Sequence, residues 1–184
     1  MTSWSAIVGA PGTQKGRAAK LLSRMLGSRG LRVAGFVQEE VCDANGEVTG
    51  WDVESVSTPE RRSVLARTRT TDPTICGYAF EPDGFAAARA FALEPADVVI
   101  VGGVGKLEAA KQGHFPLLAE LCAATTGPHV VLCIRDTCLA SIAFELPDPI
   151  DHVQLPCDTS ELERLAATIA ASLGDAPPHL PAKM

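Results

Sequence analysis

Apolar residues along the chain follow two rhythms in turn. Short, nearly unbroken runs at Ser5–Val8, Asp97–Val101 (DVVIV) and His129–Ile134 (HVVLCI) fit strands buried on both faces of a parallel sheet. Between them the spacing becomes helical. Ala18, Leu21, Leu22, Met25 and Leu26 recur on one face of a helix over Gln14–Ser28, with Gly27 and Gly30 as its stop. An alanine-rich stretch predicts a helix over Pro82–Leu93; others are expected over Phe115–Ala124 and, shorter, over Asp136–Phe144. Leu31–Gln38 and Asp151–Leu155 read as further strands. Asp158 followed three residues later by Glu161 has the form of an acidic capping box opening a helix to about Leu173.

One stretch breaks the alternation. Val41–Val56 (VCDANGEVTGWDVESV) places Asn45-Gly46 between two β-prone arms and predicts an antiparallel hairpin. Ser57–Gly77 is polar, holds Arg61, Arg62, Arg67 and Arg69, and reads as a mobile loop. No internal repeat is present. The expected fold is α/β: one unit over residues 1–174, with three layers, a mostly parallel sheet, helices on both faces and an inserted antiparallel hairpin. The proline-rich tail 175–184 (DAPPHLPAKM) is expected to fray.

Composition narrows the function. The 184 residues are 46% hydrophobic and 21% charged, as in an ordinary soluble protein. A net charge of −6 argues against nucleic acid or an anionic membrane as partner. No apolar run approaches the ~20 residues that span a bilayer, and MTSWSAIVGAPG lacks the features of a signal peptide, so a cytoplasmic location is the expectation. The six cysteines form no C-x-x-C pair and no zinc-ligand cluster. They read as reduced structural thiols, with a redox or soft-metal role for Cys133 and Cys138 as the alternative; no metal site is expected.

In such folds ligands bind beyond the carboxyl ends of the strands, which directs attention to the loops after Val8, Gln38, Val101 and Ile134. The first reads GAPGTQKGR, from Gly9 to Arg17. A working phosphate loop, G-x-x-x-x-G-K-[ST], cradles phosphates with backbone N–H groups, reaches them with its lysine and holds Mg²⁺ with its hydroxyl. Gly9 and Lys15 stand at that separation, with Gly12 and Thr13 between them. Gln14 replaces the second glycine, and Gly16 replaces the hydroxyl residue. The helix N-terminus, Lys15 and Arg17 still favour an anion. The alternative is a glycine-rich turn that binds nothing.

The loop after the fourth strand, GGVGKLE, carries Gly102, Gly103, Gly105, Lys106 and Glu108. Together, GAPGTQKG and GGVGKLE resemble the G-x-P-G-x-G-K-T and D-E-x-G-K-x-E segments of the thermophile-type nucleoside-triphosphatase family. GFVQEEV and GWDVESV are similar to that family's second strand and hairpin. A closer resemblance, over residues 5 to about 145, is to a related bacterial family of uncharacterised function with a degenerate P-loop. Members of that second family occur beside molybdate-transport genes. The resemblance implies a P-loop fold and a nucleotide ligand, ATP or GTP. It also implies that Gly102 and Gly103 stand where relatives place the carboxylates that hold Mg²⁺ and activate water, so Mg²⁺ dependence is in doubt. Glu39, Glu40, Asp52 and Glu108 are candidate substitutes.

Smaller signals surround these loops. Arg135 matches a basic residue of the family and is a candidate phosphate or base contact, or else caps the next helix with Asp136. Gln38 can meet a polar ligand edge or remain an ordinary loop residue. Lys106 points into the cleft or pairs with Glu108 or Glu39. His114 and His152 carry no assigned chemistry, and Trp51 is a candidate stacking residue. The expectation is a catalytically degenerate protein that binds a nucleotide, phosphate or molybdate as a sensor or accessory factor. Two alternatives stand beside it: a slow Mg-dependent nucleoside triphosphatase or kinase, and a scaffold with an empty site that contacts a protein partner or a second copy.

Overall fold

The computed structural model describes residues 2–67 and 78–174. Eight strands form one sheet in the order β5-β4-β3-β2-β6-β7-β1-β8. They are β1 (Trp4–Gly9), β2 (Val33–Cys42), β3 (Val48–Ser55), β4 (Arg61–Arg67), β5 (Tyr78–Phe80), β6 (Val98–Val104), β7 (His129–Arg135) and β8 (Asp151–Gln154). The pairs β2–β6, β6–β7, β7–β1 and β1–β8 are parallel, whereas β2–β3, β3–β4 and β4–β5 are antiparallel. The fold is therefore the expected mostly parallel α/β sheet with an antiparallel part.

Every residue of β1, and every residue of β7 before Arg135, is buried. Successive side chains of a strand point to opposite faces, and the core divides accordingly. On one face Trp4, Ala6, Val8, Val99, Val101, Leu132 and Ile134 pack with α2 (Pro82–Ala92), α4 (Phe115–Ala123) and α5 (Leu139–Phe144), α3 being the single turn Lys106–Ala109. On the other, Ile7, Val98, Ile100, Val131 and Cys133 pack with α1 (Lys15–Gly27) and α6 (Thr159–Gly174). Of the apolar residues that mark α1 in the sequence, it buries Ala18, Leu22 and Leu26, with Ala19 beside them, and half-buries Leu21 and Met25. The Asp158–Glu161 capping box forms reciprocally, each backbone N–H donating to the other residue's carboxylate at 3.1 Å.

Three expectations are corrected. The first arm of the hairpin is not an insertion beside β2 but its continuation, because Phe36 to Cys42 pair directly with Ser55 to Val48. Gln38 therefore lies within a strand. Residues 57–77 are not one loop: Arg61–Arg67 form β4, where Val64 is fully buried after the exposed Arg61, Arg62 and Ser63. Arg61 donates to Asp52 at 2.7 Å across the β3–β4 pair, and Arg62 pairs with Glu60 at 2.8 Å. Arg69, Cys76 and the tail at 175–184 lie outside the described residues. Finally, β6 does not end at Val101 but runs on through Gly102 and Gly103, with a register irregularity against β7 between Val101 and Val104.

Candidate functional site

Because β1, β2, β6 and β7 run parallel, their carboxyl ends share one rim, and a cavity of about 620 Å³ opens there. Of the first-loop candidates, Gly12, Gln14, Lys15 and Gly16 line it, together with Pro11. Gly9, Thr13 and Arg17 do not. Thr13 is turned back on the loop, its hydroxyl donating to the Ala10 carbonyl at 2.7 Å. Arg17 is exposed and lies 3.4 Å from Gln14 Oε1. From the other strands come Gln38, Glu39, Glu40, Gly102, Gly103, Gly105, Lys106, Glu108 and Arg135. Sequence reasoning gave no role to Leu65, Phe85 or His114, which with Trp51 form the apolar end. Their separation along the chain, across α2 and the hairpin, left no local signal.

The loop bends through left-handed residues at Gly12, φ 76°, and at Gln14. Gln14 adopts φ 58°, ψ 40° at the N-cap of α1, a left-handed conformation that ordinarily calls for glycine. No side chain caps the helix and its first turn holds no acidic residue, so positive potential is left at the N-terminus. The Lys15 ammonium donates to the carbonyls of Gly9 and Ala10, each at 2.8 Å. Two of its three protons are thereby committed, leaving one for a ligand. Desolvation on half-burial lowers its pKa, and neighbouring Arg135 pushes the same way, against Asp136 and Glu40. Cys133 beside it is pushed by burial up to about 12, so it is a neutral thiol at pH 7.

The second segment differs from the loop pictured above. Gly102 and Gly103 are not vacancies awaiting carboxylates. A Cβ on Gly102 would lie 2.7 Å from both Val37 Cα and Gln38 N, and one on Gly103 would overlap Gln38 Oε1, with Gly103 itself at φ 73°. Close packing on the β2 backbone therefore requires glycine at Gly102, and the left-handed backbone favours it at Gly103. Glu108 is buried and structural: its carboxylate accepts from the backbone N–H of Gly105 at 2.8 Å and of His114 at 2.9 Å. Burial raises its pKa, against the pull of those bonds. Of the alternatives for Lys106, pairing with Glu108 or with Glu39 is absent among the described residues, and Lys106 is exposed at the cavity.

Of the four candidate substitute carboxylates, Asp52 is held by Arg61 and does not line the cavity. Glu40 is exposed at the rim, and Glu39 lies over Gly16. Arg135 stands across the rim, with Nε 3.9 Å from where a Cβ on Gly105 would be. It does not cap the following 3₁₀ turn with its side chain; inside that turn Asp136 accepts from Thr137 N–H at 2.7 Å.

His114 is wedged between Phe36 and Phe85, with ring centroids 4.7 and 4.8 Å away. Its Nε2 is the one buried side-chain nitrogen or oxygen without a hydrogen-bond partner among the described residues. Burial lowers its pKa to about 4, so the ring is neutral at pH 7. Among the described residues no three His, Cys, Asp or Glu side chains converge as a metal cage, and no helix is long and apolar enough to cross a membrane.

Comparison with known proteins agrees with this geometry. A family model described as NTPase matches residues 5–137. No curated protein sequence matches. Among solved structures, the fold is similar to that of a human cancer-related nucleoside triphosphatase, with a TM-score of 0.66 at 18% identity over 97% of this chain and 100% of that one. It is also similar to THEP1 from the hyperthermophile Aquifex aeolicus, with a TM-score of 0.62 at 20% identity over 92% of this chain and 98% of that one. At such identities the likeness is one of fold.

Proposed function

The chain belongs to the P-loop NTPase family, and on that premise we propose that it binds a nucleoside triphosphate at the Gly9–Gly16 loop while hydrolysing it slowly or not at all. The observation that carries this reading is the contrast between the two segments. The first retains an anion cradle: a left-handed turn at Gln14, a helix N-terminus without an acidic cap, and Lys15 with a proton to spare. The second is unsuited to the carboxylates that would activate water, because a Cβ on Gly102 would meet the backbone of Val37 and Gln38 and Gly103 holds a left-handed backbone, φ 73°. Binding energy and hydrolytic machinery are thus separated. Charge-assisted hydrogen bonds of about 1.5–3 kcal/mol each supply the former, and water activation is what phosphoryl transfer to water would lack.

Such a protein acts as a sensor or accessory factor whose state is set by occupancy. The cavity extends past the loop to Trp51, Leu65 and Phe85, which offers an apolar wall to a ligand larger than an inorganic anion. The test compares binding and turnover on the same sample. Equilibrium titration with ATP and GTP is expected to show saturable binding, displaced by excess phosphate or molybdate. Single-turnover quench is expected to show hydrolysis well below the 1–10³ s⁻¹ of typical enzymes. Turnover in that ordinary range, lost in Lys15→Ala, would make the chain an enzyme instead. Absence of binding would leave the scaffold reading.

A further inference from the structure

The cavity at the rim has two ends, and they lie on opposite faces of the sheet. Val37, Glu39 and Cys133 line the end beside α1, on the face that packs against that helix. Trp51, Leu65, Phe85 and Val104 line the other end and belong to the core of the far face, with α2 and α4. β2 passes between the two. Its side chains alternate, so Phe36 and Glu40 face the second end while Val37 and Glu39 face the first. An anion at the N-terminus of α1 therefore lies on one side of the sheet and the apolar end on the other.

The second end is built around one histidine. The buried Glu108 carboxylate accepts from the backbone N–H groups of Gly105 and His114, which ties down the segment between them. Phe36 and Phe85 flank the imidazole. His114 lines the cavity, is only 4% exposed, and its ring forms no hydrogen bond with a described residue. An unpartnered buried polar group is costly, and native structures hold few of them. His129, equally buried, is bonded at both ring nitrogens, to Ser3 Oγ at 2.8 Å and Ser5 Oγ at 3.0 Å. The fold thus satisfies a histidine that serves packing alone.

The surroundings of His114 select its partner. Trp51, Leu65 and Phe85 present apolar and aromatic surface suited to a flat ring. The neutral imidazole can donate from one nitrogen and accept at the other. Glu40, directly opposite Trp51 in the β2–β3 pair and exposed at the rim, sets a negative charge beside this end and disfavours phosphate or carboxylate there. We propose that this end is a second ligand site, separate from the phosphate loop, for a neutral heteroaromatic ring whose nitrogen-bearing edge hydrogen-bonds to the His114 imidazole. The site goes beyond the nucleotide reading and does not depend on it. Were His114 a packing residue only, replacing its nitrogens would affect every ring of the same outline alike.

The experiment titrates the full chain at neutral pH with two probes. Benzimidazole is a neutral ring with one donor and one acceptor nitrogen; indene has the same outline and no nitrogen. Affinities are read by ligand-observed NMR, and the His114 ring by nitrogen NMR, its resonances assigned by their loss in His114→Phe. Wild type is expected to bind benzimidazole equally well with and without saturating ATP, and benzimidazole alone of the two probes to shift the His114 ring nitrogens. His114→Phe is expected to weaken benzimidazole about tenfold and to leave indene within about twofold. Leu65→Trp, which keeps the imidazole but fills the space beside it, is expected to abolish binding of both probes. Displacement of benzimidazole by ATP would make one site of the two ends and overturn the proposal. So would equal weakening of both probes by His114→Phe, full binding by Leu65→Trp, or no binding by wild type at millimolar benzimidazole. Failure of ATP to bind would overturn the nucleotide reading alone.

Discussion

Gln14 is held in the left-handed region at φ 58°, a conformation that costs a non-glycine residue about 1–2 kcal/mol. Gln14→Gly relieves that cost but gives back about 0.5–1 kcal/mol of chain entropy. Its expected effect on stability in a urea titration is therefore a gain of no more than about 1 kcal/mol, whereas nucleotide binding should tighten because the side chain no longer crowds the cavity. Gly102 makes the opposite prediction. Gly102→Asp restores a carboxylate in name only, since its Cβ meets the β2 backbone at 2.7 Å. Overpacking of that kind costs about 1–3 kcal/mol, so denaturation should show a less stable protein and a phosphate-release assay should show no gain in turnover. A gain would mean that β6 and β2 can part. The spacing of Gly9 and Lys15 was legible along the chain. The placement of Glu39 over Gly16 was not, because it depends on how two strands lie after a helix has been folded between them.

Among the elements, β1, β6 and β7 were legible because strands buried on both faces must be apolar throughout. β4 was not: RRSVLAR buries Val64 and exposes Arg61 and Arg62, which looks like a loop until β3 and Asp52 are beside it. β5 has three residues and the helix at Lys106–Ala109 four, too few for any period to register. The packed elements also carry a pH dependence. His114, between β2 and α2, and His129, opening β7 between the hydroxyls of Ser3 and Ser5, both have pKa values lowered by burial to about 4. Unfolded histidine titrates near 6.5. Between those values the unfolded chain binds more protons than the folded one, so stability falls as pH drops from 6.5 toward 4 and is fully present above that window. At pH 5 the loss is about 2 kcal/mol for each histidine. Urea midpoints at pH 7 and 5 should show it, and His114→Phe should reduce the difference by about half. A midpoint unchanged between the two pH values would contradict the burial of both rings.

At the scale of the molecule, one rigid sheet brings together segments from opposite halves of the sequence: the loop after β1, the continuous β2, the glycine pair of β6 and Arg135 at the end of β7. A ligand held by several of them binds the folded state alone and must raise its stability. Free ligand at 100 times its dissociation constant adds about 2.7 kcal/mol, and a domain of this size gains about 2–4 °C for each kcal/mol. The most direct measurement is thermal unfolding of wild type and Lys15→Ala with ATP or GTP, each with and without Mg²⁺. The account predicts a rise of several degrees for wild type that Lys15→Ala abolishes. No rise with either nucleotide, or the same rise in both proteins, would contradict it.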